Sequence, residues 1–296
     1  MKRLVISGAG GFLGHEIIER NSLLDNVDIL AITSKPNQIL DNKNVSVIMT
    51  DEFLAGKAQL QENDLFIHCL FPMNADAEQL ADGIDKAKKM IKIAGEGGVR
   101  SFINISSQRV YGSKRDHPAK ESDLLSPQTA YAQGKLECEN FCGSILEKIP
   151  HTNIRLSSLL GSSYPKQLVN RMIALALQNN KLEVRGGKQR YSYLDVRDAA
   201  DAILSMISVD PKTWKKVYNL GNNAYYSLMD VAYTIERVLS EKGKKIDLSI
   251  LPGTDQSSSE LDAGLFMHDF NWKPHYSLVQ SISDIIDFQM NIMNLS

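Results

Sequence analysis

Two residues four apart, Tyr131 and Lys135 in "YAQGK", are the sharpest chemical signal in the chain. On a helix that spacing sets both side chains on one face. A free phenol titrates near pH 10 and is a poor acid–base group at neutrality. A lysine cation beside it, together with the positive ring of an oxidised nicotinamide, favours the phenolate. Such pairs also arise by chance, so the neighbours decide. Upstream by 24 residues, "FINISSQRVYG" carries Ser107 at the end of an apolar run. Ligands of open α/β sheets bind beyond the carboxyl ends of the strands, so the Ser107 hydroxyl is placed to hydrogen-bond a carbonyl or alcohol oxygen. Together the three residues could exchange a proton with a carbonyl or alcohol oxygen.

A second signal, for a phosphate-bearing ligand, stands at the start of the chain. In "SGAGGFLG" the glycines Gly8, Gly11 and Gly14 recur every third residue, and Leu13 stands where the G-x-G-x-x-G fingerprint has its last glycine. The run follows "RLVIS", a buried-strand pattern, and opens "FLGHEIIERNSLL", where Phe12, Leu13, Ile17 and Ile18 share one helical face. Missing β-carbons let backbone N–H groups approach a pyrophosphate, and the helix start adds partial positive charge. The plainer alternative is a tight turn with no ligand. NAD-binding folds place an acid about 20 residues past the glycines, on the ribose 2′-OH. Here "ILAITSKPNQ" offers Thr33, Ser34 and Lys35 instead. Hydroxyls and a lysine can hold a 2′-phosphate that a carboxylate would repel. NADP(H) is therefore favoured over NAD(H), which stays open; the alternative is that Ser34 and Lys35 form a solvated loop.

The elements that position these groups follow from the apolar runs "RLVIS", "VDILAIT", "VSVIM", "DLFIHCLF" and "RSFINIS", each short and bounded as buried strands are. Helical periodicity marks "AEQLADGIDKAKKMIKIAGEGG" and "AYAQGKLECENFCGSILEKI", and "NIRLSSLL" reads as one further strand. Strands alternating with helices predict an α/β fold, a doubly wound parallel sheet covered on both faces. A dinucleotide-binding domain is expected over residues 1–160, with segments returning near 190–222. Residues 161–296 are expected to form mainly a smaller, partly interleaved C-terminal substrate-binding region. A hydrophobic share of 43% and a charged share of 23% fit a globular chain. The net charge of −2 gives no pull toward nucleic acid or an anionic membrane. No apolar run approaches the roughly 20 residues of a membrane helix. Cys69, Cys138 and Cys142 show no zinc-ligand spacing and no even pairing, so no metal is expected and a reducing cytoplasm is the expected home. Cys138 and Cys142 read as small packing residues, and His68 as a packed histidine at the end of a strand.

Taken in order, these motifs resemble the extended short-chain dehydrogenase/reductase family, in its NAD-dependent epimerase/dehydratase branch, over nearly the whole chain. "GAGGFLG" resembles its glycine motif, "SSQRVYG" its serine motif and "YAQGK" its Tyr-x-x-x-Lys. "YSYLDVRDAADAI", "YNLGNNAYYSLMDVA" and "FNWKPHYSL" resemble later signatures. The resemblance implies a Rossmann fold, Tyr131 as acid–base, Lys135 as the ribose-holding lysine, and Ser107 as the group polarising the reacting oxygen. It implies cofactor contacts from Gly8, Gly11, Phe12, Leu13, Gly14, Ser34, Lys35, Leu70, Tyr131 and Lys135, and from Asp51 and Glu52 near the adenine. The implied substrate is a nucleoside-diphosphate sugar, held by Ser107, Ser158 and Arg190.

Several positions depart from the family pattern. Leu156 and Ser162 stand at usual prolines, Ser158 at a substrate-binding asparagine, and Arg190 about one residue off the usual arginine. Gln108 and Arg109 replace the Asp-Glu pair of dehydrating members, which points away from dehydration. Two reactions at C4 remain, a ketoreductase and an epimerase with tightly held NAD; the missing acid and Lys35 tilt toward the reductase. A redox sensor that binds dinucleotide without catalysis is a third class, disfavoured because tyrosine and lysine are both present. Helices beginning near Gly83 and Thr129 are the expected faces of a homodimer; otherwise they simply cover the sheet.

Overall fold

The computed structural model describes residues 3–21, 27–39, 43–72 and 75–294. Its first apolar runs become strands in the expected alternation: Leu4–Ser7 (β1), helix Phe12–Asn21 (α1), Ile29–Thr33 (β2), Val45–Met49 (β3), helix Thr50–Leu54 (α2) and Leu65–His68 (β4). Helix Ala77–Glu96 (α3), Ser101–Ser107 (β5), helix Ala130–Ile145 (α4) and His151–Leu156 (β6) follow. Ser22–Leu24, the expected end of the helix begun at Phe12, lies outside the described residues. Every residue of β1, β2, β4, β5 and β6 is buried, as strands covered on both faces require.

The second half adds Ser158–Leu160 (β7), helix Leu168–Asn179 (α5), Lys181–Arg185 (β8), Arg190–Asp195 (β9) and helix Val196–Ser205 (α6). Then come Val217–Leu220 (β10), Tyr225–Ser227 (β11), helix Leu228–Glu241 (α7), Asp247–Leu251 (β12) and Ser258–Ser259 (β13). Helices Gly264–Asp269 (α8) and Leu278–Met293 (α9) end the order.

Among the described residues the large sheet has seven strands in the order β10-β6-β5-β4-β1-β2-β3. β1 pairs in parallel with both β2 and β4, Ser7 standing opposite Ile32 on one side and His68 on the other. The chain order therefore reverses between β1 and β4, which opens a crevice at their carboxyl ends. This is the doubly wound Rossmann arrangement read from the sequence.

Compact packing divides the chain into two units. One comprises Met1–Tyr111, Leu124–Leu156 and Ala200–Tyr218; the other comprises Gly112–Asp123, Ser157–Ala199 and Asn219–Ser296. In the first, Phe66 stacks on Phe102 at 5.1 Å between ring centroids, and Met90, Ile91, Cys138 and Cys142 close the layer beneath α3 and α4. The two cysteines are the small packing residues their helix spacing predicts. Burial pushes the Cys138 thiol up to about 11 and that of Cys142 further in the same direction. The outer face of α3 carries i,i+4 ion pairs, Lys86 with Asp82 and Lys89 with Asp85.

In the second unit β9 pairs in parallel with β7 and β13 and antiparallel with β11. Ile173, Ile235 and Ile285, from α5, α7 and α9, share its core. The stretch "NIRLSSLL" corrects one expectation: it makes two strands, not one. β6 joins the large sheet beside β5, whereas β7 pairs with β9. Between them the Ser157 amide donates to the Leu220 carbonyl at 2.9 Å. An apolar run specifies burial and leaves the choice of sheet to tertiary pairing.

Candidate active site

The glycine turn sits at the switch point because β1 ends there. Gly8 takes φ +71, and a Cβ on it would lie 2.8 Å from the Leu70 amide nitrogen. A Cβ on Gly14 would run into the Gly8 carbonyl oxygen. The Gly11 amide donates to that same carbonyl at 2.8 Å, folding the turn onto the start of α1. Any side chain at Gly8 or Gly14 would fill this cradle, and a helix start leaves backbone donors facing it. The residues present thus fit a pyrophosphate. Gly8, Gly11, Gly14 and Leu70 are brought together; Leu13 is buried at the same helix start, and Phe12 is half-buried.

The end of β2 closes on the turn at Gly10, whose Cβ position lies 2.7 Å from Thr33 Oγ1. That hydroxyl accepts the Lys35 amide at 3.0 Å, and the Ser34 and Lys35 side chains are exposed. Asp51 and Glu52 stand in the first turn of α2 after β3. The Glu52 carboxylate takes the Lys57 ammonium at 2.8 Å, which holds its pKa below the usual range.

The Tyr-Lys pair lies on α4, which starts at Thr129, whose side chain caps it by accepting the Ala132 amide at 3.2 Å. Spacings of four place Tyr131, Lys135 and Glu139 on the face turned to the sheet. Lys135 and Glu139 are buried and Tyr131 is half-buried. Lys135 Nζ donates to the Ile105 carbonyl of β5 at 2.6 Å and lies 4.1 Å above the Phe71 ring. Phe71 in turn meets the Tyr131 ring edge-on at 5.3 Å, and the Arg109 guanidinium lies 5.6 Å from the Tyr131 ring centroid. Burial lowers the Lys135 pKa to about 8, so the ammonium remains charged at neutrality with its proton loosely held.

Ser107 ends β5, buried, and its Oγ accepts the Arg109 amide at 3.3 Å. One layer down, Ser106 Oγ donates to Glu139, and Glu139 takes Arg155 through its Nε and, at 2.8 Å, its Nη2. Arg155 Nη1 also donates to the Tyr111 hydroxyl at 2.9 Å. A bidentate pair in a dry interior needs its remaining hydrogen-bonding capacity met, and this network joins four elements: β5, the turn after it, α4 and β6. At the end of β4, His68 Nδ1 and Ser7 Oγ are 2.7 Å apart, and its Nε2 is buried without a hydrogen-bond partner among the described residues. Burial first, and the Lys135 charge second, lower its pKa to about 3. It is the packed, neutral histidine expected.

Ser158 and Arg190 belong to the second unit. Ser158 begins β7 opposite Tyr193, and Arg190 Nε donates to Glu260 Oε1 at 2.7 Å. Sequence reading missed Phe71, the Ile105 carbonyl and the Glu139–Arg155 pair. The last had a visible signal: an arginine inside the apolar run "NIRL" and a glutamate four residues past Lys135.

The model of the NAD dependent epimerase/dehydratase family matches residues 4–221. Among curated proteins, mouse dTDP-D-glucose 4,6-dehydratase is 24% identical, over 97% of this chain and 88% of that protein. Arabidopsis thaliana UDP-glucuronic acid decarboxylase 1 is 21% identical, over 99% of this chain and 71% of that one. Among solved structures, UDP-glucuronic acid 4-epimerase from Bacillus cereus, in complex with UDP-glucuronic acid and NAD, superposes with a TM-score of 0.86. It is 19% identical and covers 98% of this chain and 99% of its own.

Proposed function

The chain belongs to the NAD-dependent epimerase/dehydratase family of enzymes, and from that premise we propose that it transfers hydride at C4 of a nucleoside-diphosphate sugar, as an NADPH-dependent 4-ketoreductase. The observation that carries the proposal is the stack Lys135–Phe71–Tyr131–Arg109 with Ser107 at the end of β5, gathered beyond the carboxyl ends of β4 and β5.

Gly8, Gly11, Leu13, Gly14 and Leu70 would hold the pyrophosphate, with Phe12 beside it. Ser34 and Lys35 would hold a 2′-phosphate, and Asp51 and Glu52 would face the adenine. When bound, the dinucleotide supplies the hydride. Tyr131 Oη gives its proton to the sugar oxygen as the carbonyl becomes an alcohol. Ser107 Oγ donates a hydrogen bond to that oxygen as negative charge gathers on it, where a preorganised donor counts most. Lys135 keeps positive charge under the tyrosine and favours the phenolate left behind. Ser158 and Arg190 are assigned to the rest of the nucleotide sugar. We place the enzyme in the cytoplasm, in keeping with its three free cysteines, and read it as a homodimer through α3 and α4. Sedimentation equilibrium tests the latter.

A second reading, a 4-epimerase that holds NAD and returns the hydride to the other face, draws support from the likeness to the NAD-bound 4-epimerase structure. One experiment separates the two. Purified protein is given NADPH and a nucleoside-diphosphate 4-keto sugar, and loss of reduced nicotinamide is followed. A ketoreductase consumes NADPH in proportion to sugar. Bound NAD with silent interconversion of two 4-hydroxy sugars supports the epimerase instead. In either case Tyr131→Phe should lose about 10²–10⁴-fold in turnover while binding dinucleotide as before. Turnover within about threefold of wild type would end the assignment of Tyr131. Lys35→Ala should weaken NADPH and spare NADH.

A further inference from the structure

The 3-10 turn Gln108–Tyr111 buries three of its four side chains and leaves one, Arg109, exposed. That exposure is directed. The Arg109 amide is tied to Ser107 Oγ at 3.3 Å, and its guanidinium lies 5.6 Å from the Tyr131 ring centroid. Arg109 makes no ion pair among the described residues. The carboxylate that α4 offers below Tyr131, that of Glu139, is buried and taken by Arg155 and Ser106. A second cation, Lys135, lies 4.1 Å from the centre of the Phe71 ring that abuts Tyr131, and it too makes no ion pair among the described residues. One positive charge thus lies against the acid–base tyrosine and a second against the ring it abuts, and an incoming anion would offset their mutual repulsion.

We propose that Arg109 recognises a carboxylate on the substrate, and that the sugar taken by this site is a hexuronate. The inference rests on the nucleotide-sugar reading above. The reacting oxygen must come within hydrogen-bond reach of Tyr131 and Ser107. Arg109 branches two residues after Ser107 and lies against Tyr131, so its fork flanks that oxygen and meets a substituent on the neighbouring ring carbon. In a hexuronate the carboxylate sits on C5, next to C4. A guanidinium grips it with two parallel charge-assisted bonds, which a hydroxymethyl group cannot match. The diphosphate is also anionic, but it leaves from C1, across the six-membered ring from C4.

Calorimetry on the dinucleotide-loaded protein tests the assignment, with nucleoside-diphosphate glucuronate, nucleoside-diphosphate glucose and the bare nucleoside diphosphate as probes, each in UDP and dTDP form. Wild type should bind the glucuronate at least about tenfold tighter than the glucose compound. Arg109→Gln should erase that preference and leave the glucose compound and the bare diphosphate unchanged, with Arg109→Lys recovering part of it. Arg237→Gln, which removes an exposed charge on α7, should change none of the three. Equal losses on all three probes would assign Arg109 to the diphosphate and overturn the proposal. A wild type with no preference overturns it without any variant. If no nucleotide probe binds wild type at all, the nucleotide-sugar reading beneath it fails as well.

Discussion

Lys135→Met in the dinucleotide-free protein reads out the cost of holding a cation under the site. The lysine is 5% exposed, and burial lowers its pKa to about 8 from 10.5. Below pH 8 the folded and unfolded chains both carry the proton, and the folded state bears the whole cost of burying it. Between pH 8 and 10.5 the unfolded chain still holds a proton that the folded one has released, so this group's contribution to stability rises with pH. A gap of about two and a half pH units, at 1.36 kcal/mol each, makes that rise about 3 kcal/mol. Methionine keeps the apolar stem and does not titrate. The stability of wild type minus that of the variant, from urea denaturation at a series of pH values, should therefore climb by about 3 kcal/mol between pH 7 and 10.5. The lost bond to the Ile105 carbonyl adds an offset, and the offset is flat, because a neutral amine still donates. Cys138 and Cys69, held at about 11 and about 12, keep their protons through most of this window in both proteins. A difference that stays flat to within about 1 kcal/mol would refute the reasoning.

The buried pair should be costly to break. Glu139→Leu strands the Arg155 guanidinium and should destabilise by about 3–5 kcal/mol in urea, with Glu139→Leu/Arg155→Leu recovering most of the loss. A single variant as stable as wild type would show that the pair is solvated. His68, lowered to about 3, resists a proton that the unfolded chain accepts from pH 6.5 downward. Stability should accordingly fall as pH drops from 6.5 toward 3, and His68→Leu should flatten that fall in thermal melts across the range. A variant with an unaltered acid limb would remove His68 from the account.

What could be read from residues alone was whatever is written locally. The glycine turn, the strand–helix alternation, the shared face of Tyr131 and Lys135, and the packing role of Cys138 and Cys142 all follow from spacing within one element. The split of "NIRLSSLL" was not legible, because β6 and β7 are equally apolar and differ only in the partner strand. Phe71, and the meeting of Arg109 with Tyr131, were not legible for a related reason. Each reaches Tyr131 from a different loop, and no local period encodes that meeting. The lysine's main-chain partner was invisible in principle, since any residue at position 105 presents a carbonyl.

Glu139 holds more than an arginine. Ser106 and Arg155, which both bond to it, are facing residues in the β5–β6 register, so a single carboxylate on α4 reads the alignment of two strands. A helix turns about 100° per residue, and Tyr131, Lys135 and Glu139 keep one bearing only while the eight-residue interval between first and last is intact. The angular setting of the tyrosine is therefore written inside the helix and against the sheet beneath it, and not in the connection that delivers the chain from Tyr111 to Thr129. That connection has bonds of its own: the Ser126 amide donates to the Val110 carbonyl at 2.9 Å, and Arg115 Nη1 donates to the Gly112 carbonyl at 2.9 Å. One residue gained or lost within "YAQGKLECE" would swing the tyrosine and the glutamate apart, and no adjustment elsewhere in the chain would bring them back into line. The bearing of the tyrosine is thus a property of nine consecutive residues of one helix.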